Sequence, residues 1–190
     1  MTDELFEQSI RRIRQGDKEG LKQIYEAYIS FIYSVIYDIL KNKESAEDVT
    51  SEFFIKLWTT VADQYHFGEK HKAYLARIAH NMAIDYIRKN KREQVTEEIQ
   101  DAVDAENTST TIGAKQEAVE DRVVEDMTMK VAIATLKEPE QQVLNMKLFG
   151  ELTFAEIAEV LKIPMGTVTW RYRTAIEKLR KSNYGKEVRQ

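Results

Sequence analysis

Residues 17–42, DKEGLKQIYEAYISFIYSVIYDILKN, carry apolar side chains at spacings of three and four along most of their length. This period matches the 3.6 residues per turn of an α-helix and predicts one long helix with a single buried face. The whole chain of 190 residues contains only two prolines and seven glycines. Architectures of strands and turns usually need more of both, so an all-α fold is expected. The apolar positions are Leu21, Ile24, Tyr25, Tyr28, Ile32, Val35, Ile36 and Ile39.

Further helical patterns occupy the rest of residues 1–92, and we predict that this range forms the first of two small helical domains. Leu5, Ile10 and Ile13 start one pattern, which ends near Gly16. The segment SAEDVTSEFFIKLW is predicted to begin with a capping box formed by Ser45 and Asp48. A last pattern covers residues 73–92.

An acidic segment follows these helices. Between Glu93 and Asp126 the chain has eleven acidic and two basic residues, although its overall net charge is only −4. Apolar periodicity fades over residues 93–116, which predicts a linker with little fixed structure. The alternative is that these residues form an irregular part of one continuous domain.

Residues 117–190 predict a second domain, which ends in a helix-turn-helix. Pro139 suits the first turn of a helix, and Thr153 with Glu156 forms a capping box at the start of the next. The tight break KIPMG separates that helix from a last one beginning at Gly166 and Thr167. The last helix should bury a seam of Val168, Tyr172, Ala175, Ile176 and Leu179.

The opposite face of the last helix has the composition of a DNA-reading surface. Arginine can donate two hydrogen bonds to a guanine edge, threonine can contact a thymine methyl, and lysine can contact phosphate. A tryptophan in this setting is poorly explained by solvation alone. The alternative is an ordinary helical hairpin with a solvated face. The candidate residues are Thr167, Thr169, Trp170, Arg171, Arg173, Thr174 and Lys178.

A second basic surface is predicted on the helix 73–92 and the preceding loop, residues 64–72. Residues 70–92 contain seven lysines and arginines against one aspartate. Aromatic side chains beside a basic groove suit an unstacked single-stranded base. The alternative is again a solvated helix face. The candidates are Tyr65, His66, Phe67, Arg77, His80, Asn81, Ile84, Arg88 and Lys91.

The segment from Ser45 to Val61 has more apolar surface than one buried stripe needs. Val49, Phe53 and Leu57 make one seam, whereas Phe54, Trp58 and Val61 make another. Such a helix is either deeply buried in its own domain or has an additional partner.

No catalytic or metal site is predicted. The three histidines lack metal-binding spacing, no cysteine is present, and no nucleophile or phosphate-loop motif occurs. The sequence therefore implies no enzyme, no cofactor and no metal. No run of residues is long and apolar enough for a membrane span, so no membrane insertion is expected. The absence of cysteine is compatible with a reducing cytoplasm.

Three segments, SAEDVTSEFFIKLW, KAYLARIAHNMAIDYIRKNKR and TFAEIAEVLKIPMGTVTWRYRTAIEKLRK, resemble in order and spacing the bacterial RNA polymerase sigma factors of the extracytoplasmic-function type. The resemblance covers about residues 5–92 and 128–182. It implies an initiation subunit that binds core RNA polymerase, directs it to promoters and helps to melt the DNA.

The resemblance also implies a role for each surface. The helix-turn-helix would read the minus-35 element and dock on the polymerase flap. The loop 64–72 and the helix after it would read and melt the minus-10 element, with Asn81 in the pocket for a flipped base. The helix around residues 48–58 would dock on the clamp of the largest subunit, through Asp48, Glu52, Phe54, Lys56 and Trp58.

An anti-sigma protein, holding the factor at the inner face of the membrane, is a further partner that the resemblance implies. The chain departs from the family pattern at Thr169-Trp170 and at Thr174, so its minus-35 sequence does not follow from the resemblance. Two other functions remain open on the residues alone. One is a free-standing helix-turn-helix regulator, and the other is a helical adaptor without a DNA role.

Overall fold

The computed structural model describes residues 1–100 and 133–181, with side chains described for 1–92 and 133–181. Every regular element in these ranges is helical, which confirms the predicted all-α class. The first part contains α1 (Asp3–Arg14), α2 (Lys18–Leu40), α3 (Lys43–Lys56), a π-helical turn (Leu57–Val61), the short α4 (Ala62–Gln64) and α5 (His71–Gln100). The second contains α6 (Glu138–Leu148), α7 (Phe154–Leu161) and α8 (Met165–Lys181).

Polar side chains determine where several of these helices begin. Asp17 caps α2 by accepting a hydrogen bond from the Glu19 amide. The predicted capping box of Thr153 and Glu156 is confirmed at the start of α7. The predicted capping box at Ser45 is wrong, because Asn42 caps α3 and accepts the Ser45 amide at 2.8 Å. The helix therefore begins one turn earlier than predicted.

The first part of the chain is a helical bundle arranged around α2, which packs against α1, α3 and α5. Large side chains from each helix meet in its interior, among them Phe6, Ile32, Phe53 and Leu75, all fully buried. The α5 helix continues to Gln100, beyond the predicted domain boundary at residue 92. Residues 101–116 of the predicted linker and residues 117–132 of the predicted second domain lie outside the described residues.

The second part of the chain is a small helical unit. Val168 and Ala175 of α8 are buried, and Leu144 of α6 packs with Ala175 in a cluster of its own. Tyr172, Ile176 and Leu179 are half-buried against these clusters, so the predicted seam of the last helix is confirmed.

The two parts pack directly against each other. The α6 helix lies against α2, and α7 lies against α5, so one hydrophobic cluster extends across both. Asn145 of α6 donates a hydrogen bond to Asp38 of α2, and Lys72 of α5 pairs with Glu151. Gly150 is tightly enclosed, since a Cβ there would lie 2.6 Å from the Phe31 ring and from the Met146 carbonyl. Each part of the chain therefore covers some of the surface of the other.

Candidate nucleic-acid interface

The outer face of α8 presents a tryptophan to solvent, as the sequence predicted. Trp170 is 63% exposed and Arg173 is also exposed. Arg171, Thr167 and Thr174 are half-buried at the edges of the same face. Because the seam of α8 holds the helix rigidly on the core, these side chains keep a defined spacing toward any partner.

Two of the predicted DNA-contacting residues of α8 already have partners within the protein. The hydroxyl of Thr169 donates to the carbonyl of Met165 at 2.9 Å, which leaves its methyl group as the outward element. The ammonium of Lys178 donates to both carboxylate oxygens of Glu140, at 2.7 and 2.8 Å. Burial works to raise the pKa of Glu140, but Lys178 and the Lys137 amide outweigh it and lower that pKa. Lys178 therefore ties α8 to α6, and its charge is largely neutralised.

Met165 was missed by sequence reasoning. It is 57% exposed at the first turn of α8, beside the other outward residues. Because methionine is apolar, the sequence provided no reason to expect this side chain on the exposed face. The signal that could have found it is the helix start, since α8 begins at Met165 rather than at Gly166.

The predicted minus-10 face lies on α5. Arg77, Arg88 and Lys91 are exposed, whereas His80, Asn81 and Ile84 are half-buried. Burial lowers the pKa of His80, partly offset by its interaction with the Asn81 side chain, which favours the protonated ring. Its Nδ1 atom is buried without a hydrogen-bond partner in the described part of the chain. This face of α5 therefore contains a buried polar atom that lacks a hydrogen-bond partner, which an ordinary solvated helix face would not have.

Helix α7 covers part of this α5 face. Glu156, Glu159 and Val160 of α7 line one crevice together with Tyr74 and Arg77 of α5. In the packed arrangement, acidic side chains of α7 thus lie where a nucleic-acid phosphate would have to approach. The two predicted DNA surfaces consequently differ, because the α8 face is open and the α5 face is partly closed.

The loop between α4 and α5 differs from its prediction at Tyr65. That side chain is only 2% exposed, and its hydroxyl donates to the Glu69 carbonyl at 2.9 Å. Its ring packs edge-on against Phe6, with 5.2 Å between ring centroids. Arg14 fixes the backbone of this loop by donating a hydrogen bond to the Tyr65 carbonyl at 2.7 Å. Tyr65 is therefore a core residue in this arrangement and cannot stack on a base.

Phe67 and His66 of the same loop are exposed. The guanidinium groups of Arg11 and Arg14 lie 4.7 and 4.8 Å from the centre of the Phe67 ring. Phe67 is therefore an aromatic surface already flanked by two cations, which suits a base and its phosphate. The arginines of α1 carried no periodic signal that linked them to this loop.

The α3 helix presents a charged surface with one exposed apolar side chain. Phe54 is only 5% exposed and packs against Tyr25, with 4.8 Å between ring centroids, so in this arrangement it lies in the core rather than on the exposed face of α3. Trp58 is half-buried, and Asp48, Glu52 and Lys56 are exposed, the last two paired at 2.8 Å. Ile55 is 63% exposed and was missed. The run Phe53-Phe54-Ile55 could have indicated this exposure, because a helix cannot bury three consecutive side chains against one neighbour.

The described residues contain no cluster of three or more histidine, cysteine, aspartate or glutamate side chains that could bind a metal ion. His71 is a buried titratable group, whose Nε2 contacts the Tyr28 hydroxyl and whose Nδ1 lies 2.5 Å from an Asp3 carboxylate oxygen. Phe6 stacks on its ring at 4.6 Å, and the group joins α1 to α5 as a structural contact. Over the same ranges, no helix has the length and apolarity to span a bilayer.

Comparison with known proteins gives matches along most of the chain. Residues 24–93 match the family model described as Sigma-70 region 2, and residues 132–181 match Sigma-70, region 4. The ECF RNA polymerase sigma factor SigW of Bacillus subtilis is 31% identical over 180 residues, covering 93% of this chain and 96% of SigW. SigK of Mycobacterium ulcerans, an ECF sigma factor, is 24% identical, covering 90% of this chain and 89% of SigK.

Two solved structures share the fold. The sigma factor RpoE, in complex with the anti-sigma factor NepR from Bartonella quintana, superposes with a TM-score of 0.55 at 22% identity, over 86% of this chain and 96% of RpoE. CnrH, in complex with the cytosolic domain of CnrY, gives 0.57 at 15% identity, over 92% of this chain and 94% of CnrH.

Proposed function

Because this chain belongs to the extracytoplasmic-function RNA polymerase sigma factors of the sigma-70 family, it is a promoter-recognising factor that works with RNA polymerase, and we propose how its surfaces divide that work. In this proposal α8 reads the minus-35 element, and α5 with the preceding loop reads and melts the minus-10 element. The α3 surface docks on the clamp of the polymerase. The observation that carries the proposal is the open face of α8, with Trp170 and Arg173 directed away from the core.

The minus-35 reader consists of the outward residues of α8. Arg171 suits a guanine edge and the more exposed Arg173 suits a phosphate, whereas Thr167, Thr169 and Thr174 suit thymine methyl groups or phosphates. Trp170 and Met165 add apolar surface where they can contact a thymine methyl or a sugar. Lys178 has a positioning role through Glu140 rather than a phosphate contact.

The minus-10 reader requires α7 to move off α5. Arg77, Arg88 and Lys91 would then bind phosphates, while Asn81, His80 and Ile84 would line the site of a flipped base. Phe67 would stack on an unpaired base, in the position expected of an aromatic platform. His66 lies beside it, whereas Tyr65 supports the loop from within. Melting follows because a base held outside the stack cannot re-pair.

The clamp-docking surface consists of the exposed residues of α3. Ile55 supplies the apolar anchor, surrounded by Asp48, Glu52 and Lys56, and the half-buried Trp58 borders it. An apolar side chain in a polar rim is the arrangement typical of an interface hot spot. Phe54 supports this surface from the core side.

The factor is proposed to have no catalytic activity of its own and to act in the cytoplasm, where the polymerase and its templates are. An anti-sigma protein is a proposed partner, since RpoE was solved with the anti-sigma factor NepR. Holding at the inner face of the membrane would then depend on that partner.

In vitro transcription tests the proposed function. Purified factor with core polymerase should give run-off transcripts from promoters that carry its minus-35 and minus-10 elements, and neither component should do so alone. Core polymerase that neither binds the factor nor becomes promoter-dependent would refute it. Tight, sequence-specific binding to duplex DNA without any effect of core would instead favour a free-standing regulator.

A further inference from the structure

A cleft of about 580 Å³ lies where the two parts of the chain meet. One wall comes from α2 and α3, and the other comes from Ile133, Ala134 and the α6 helix. This volume is within the range of sites for small organic molecules. Its walls come from both parts, so the cleft exists only in the packed arrangement.

Aromatic rings form much of one wall. Tyr33 and Tyr37 stack with 5.7 Å between ring centroids and an interplanar angle of 19°, and Tyr25 and Phe149 extend the lining. The ring face of Tyr37 already has a cation near it, since the Lys41 ammonium lies 6.0 Å from its centroid. Aromatic faces attract cations through their quadrupole, most strongly where water is excluded.

The charge of the lining also favours a cation. Asp38 and Glu47 contribute carboxylates, while no lysine, arginine or histidine of the described residues lines the cleft. Burial raises the pKa of Tyr33, and the negative charge of Glu47 adds to the effect, so the field of Glu47 reaches the aromatic wall. Lys41 lies at the edge of the cleft and pairs with Asp38 at 3.6 Å, so that carboxylate is already compensated. Within the described ranges Glu47 has only the exposed Lys43 at 4.0 Å, and it is the carboxylate of the lining that remains open to a ligand.

One residue of the cleft wall has a hydroxyl that is enclosed by the protein. Thr50 is 3% exposed, and its hydroxyl has no hydrogen-bond partner in the described part of the chain. A buried hydroxyl that has no hydrogen-bond partner lowers the stability of the folded protein. The neighbouring polar side chains of Asn145 and Gln141 are already engaged, with Asp38 and with backbone carbonyls respectively.

We propose that this cleft is a binding site for a small amphipathic organic cation, an amine or quaternary ammonium attached to an aromatic or short alkyl group. The cationic group would lie between Glu47 and the tyrosine rings. The apolar group would contact Ile29, Ile133 and Phe149. Because α2 and α6 both contribute, a bound cation holds the two parts together and keeps α7 on α5.

Protein-observed NMR of the full chain tests the site with three probes that share a ring and differ in charge. These are 2-phenylethylamine, 2-phenylethanol and phenylacetate. The amine should shift the amide signals of the lining residues at about a tenfold lower concentration than the alcohol, and phenylacetate should shift none of them. Equal effects of amine and alcohol, or shifts confined to other acidic surfaces, would refute the proposal.

Substitutions on α3 give a matched control. Glu47→Gln removes a carboxylate of the lining, whereas Glu44→Gln removes an exposed one on the same helix outside the cleft. The first should reduce the amine affinity several-fold and leave the alcohol unchanged, and the second should change neither. A similar loss in both variants would show that bulk acidity, not the cleft, attracts the amine. Neither side chain is buried, so both variants should fold.

Discussion

The side-chain amide of Asn145 donates a hydrogen bond to the buried carboxylate of Asp38 at 2.5 Å, joining α6 to α2. The Lys41 ammonium lies 3.6 Å from the same carboxylate and donates to Gln141 at 2.7 Å. Burial raises the pKa of Asp38, although Asn145 and Lys41 both act against this effect. The contact is therefore a polar pairing that favours one relative position of the two parts.

Asn145→Ala should loosen this packed arrangement. The substitution leaves the Asp38 carboxylate without its buried donor, which costs about 1–3 kcal/mol. Urea unfolding measures the loss of stability, and energy transfer between dyes at exposed sites in the two parts measures their separation. Gln142→Ala, on the neighbouring position of α6, should change neither quantity. An unaltered energy-transfer signal for Asn145→Ala would contradict this role for the hydrogen bond.

His71 should make stability fall at mildly acidic pH. Burial lowers its pKa below 6.5, against the opposing effect of Asp3, so the unfolded chain binds the proton more readily than the folded one. Its contribution to stability is therefore complete above pH 6.5 and is lost as the pH falls through the lowered pKa. In urea unfolding, the stability advantage of the wild type over His71→Gln should shrink as the pH falls. Parallel pH profiles would contradict this assignment.

Trp170→Ser should change promoter preference without weakening core binding. The side chain is exposed on the proposed minus-35 reader, where one mismatched base pair costs a specific DNA-binding protein about 1–3 kcal/mol. Transcription from a template library randomised at minus-35 measures the preference. Glu177→Gln, an exposed change on the same helix, serves as the control. Unchanged preference combined with weaker binding of a regulator would assign Trp170 to that partner instead.

Phe54→Ala and Ile55→Ser should have opposite consequences, although the residues are adjacent. Phe54 is buried, so its truncation should cost about 3–5 kcal/mol of stability. Ile55 is exposed, so Ile55→Ser should leave stability unchanged and reduce the affinity for core polymerase. Thermal unfolding and a core-binding titration separate the two effects. Normal core affinity of Ile55→Ser would remove this side chain from the proposed clamp surface.

Arg173→Gln and Lys178→Gln should differ in the salt dependence of DNA binding. An arginine that contacts phosphate contributes about one to the slope of log affinity against log salt concentration. Arg173 is exposed, whereas Lys178 is already paired with Glu140. Arg173→Gln should therefore lower the slope by about one, and Lys178→Gln should leave it unchanged. Equal slopes for the two variants would contradict the distinction.

The elements that sequence periodicity predicted well are those in which one apolar stripe faces one neighbour. The seam of α8 and the capping box of α7 are local features, and both were predictable from adjacent residues alone. Tyr65 and Phe54 could not be placed in this way. Their burial depends on Phe6 and Tyr25, which belong to other helices and lie far away in the sequence. Periodicity reports that a side chain is apolar, but not which neighbour covers it.

Charge pattern was informative about surfaces but not about pairing. The basic character of α5 and α8 indicated a polyanionic partner. It could not reveal that Glu140 would neutralise Lys178, or that the acidic side of α7 would lie across Arg77. Both relationships depend on how the two parts of the chain pack, which no single helix determines.

The chain has two tryptophans, and their different surroundings make them built-in optical reporters. Trp170 is largely in water and should emit at long wavelength, whereas Trp58 is half-buried beside α3 and should emit at shorter wavelength. Each lies on a different proposed docking surface. A fluorescence titration of the unlabelled protein can thus distinguish a partner that covers the recognition helix from one that covers the α3 surface.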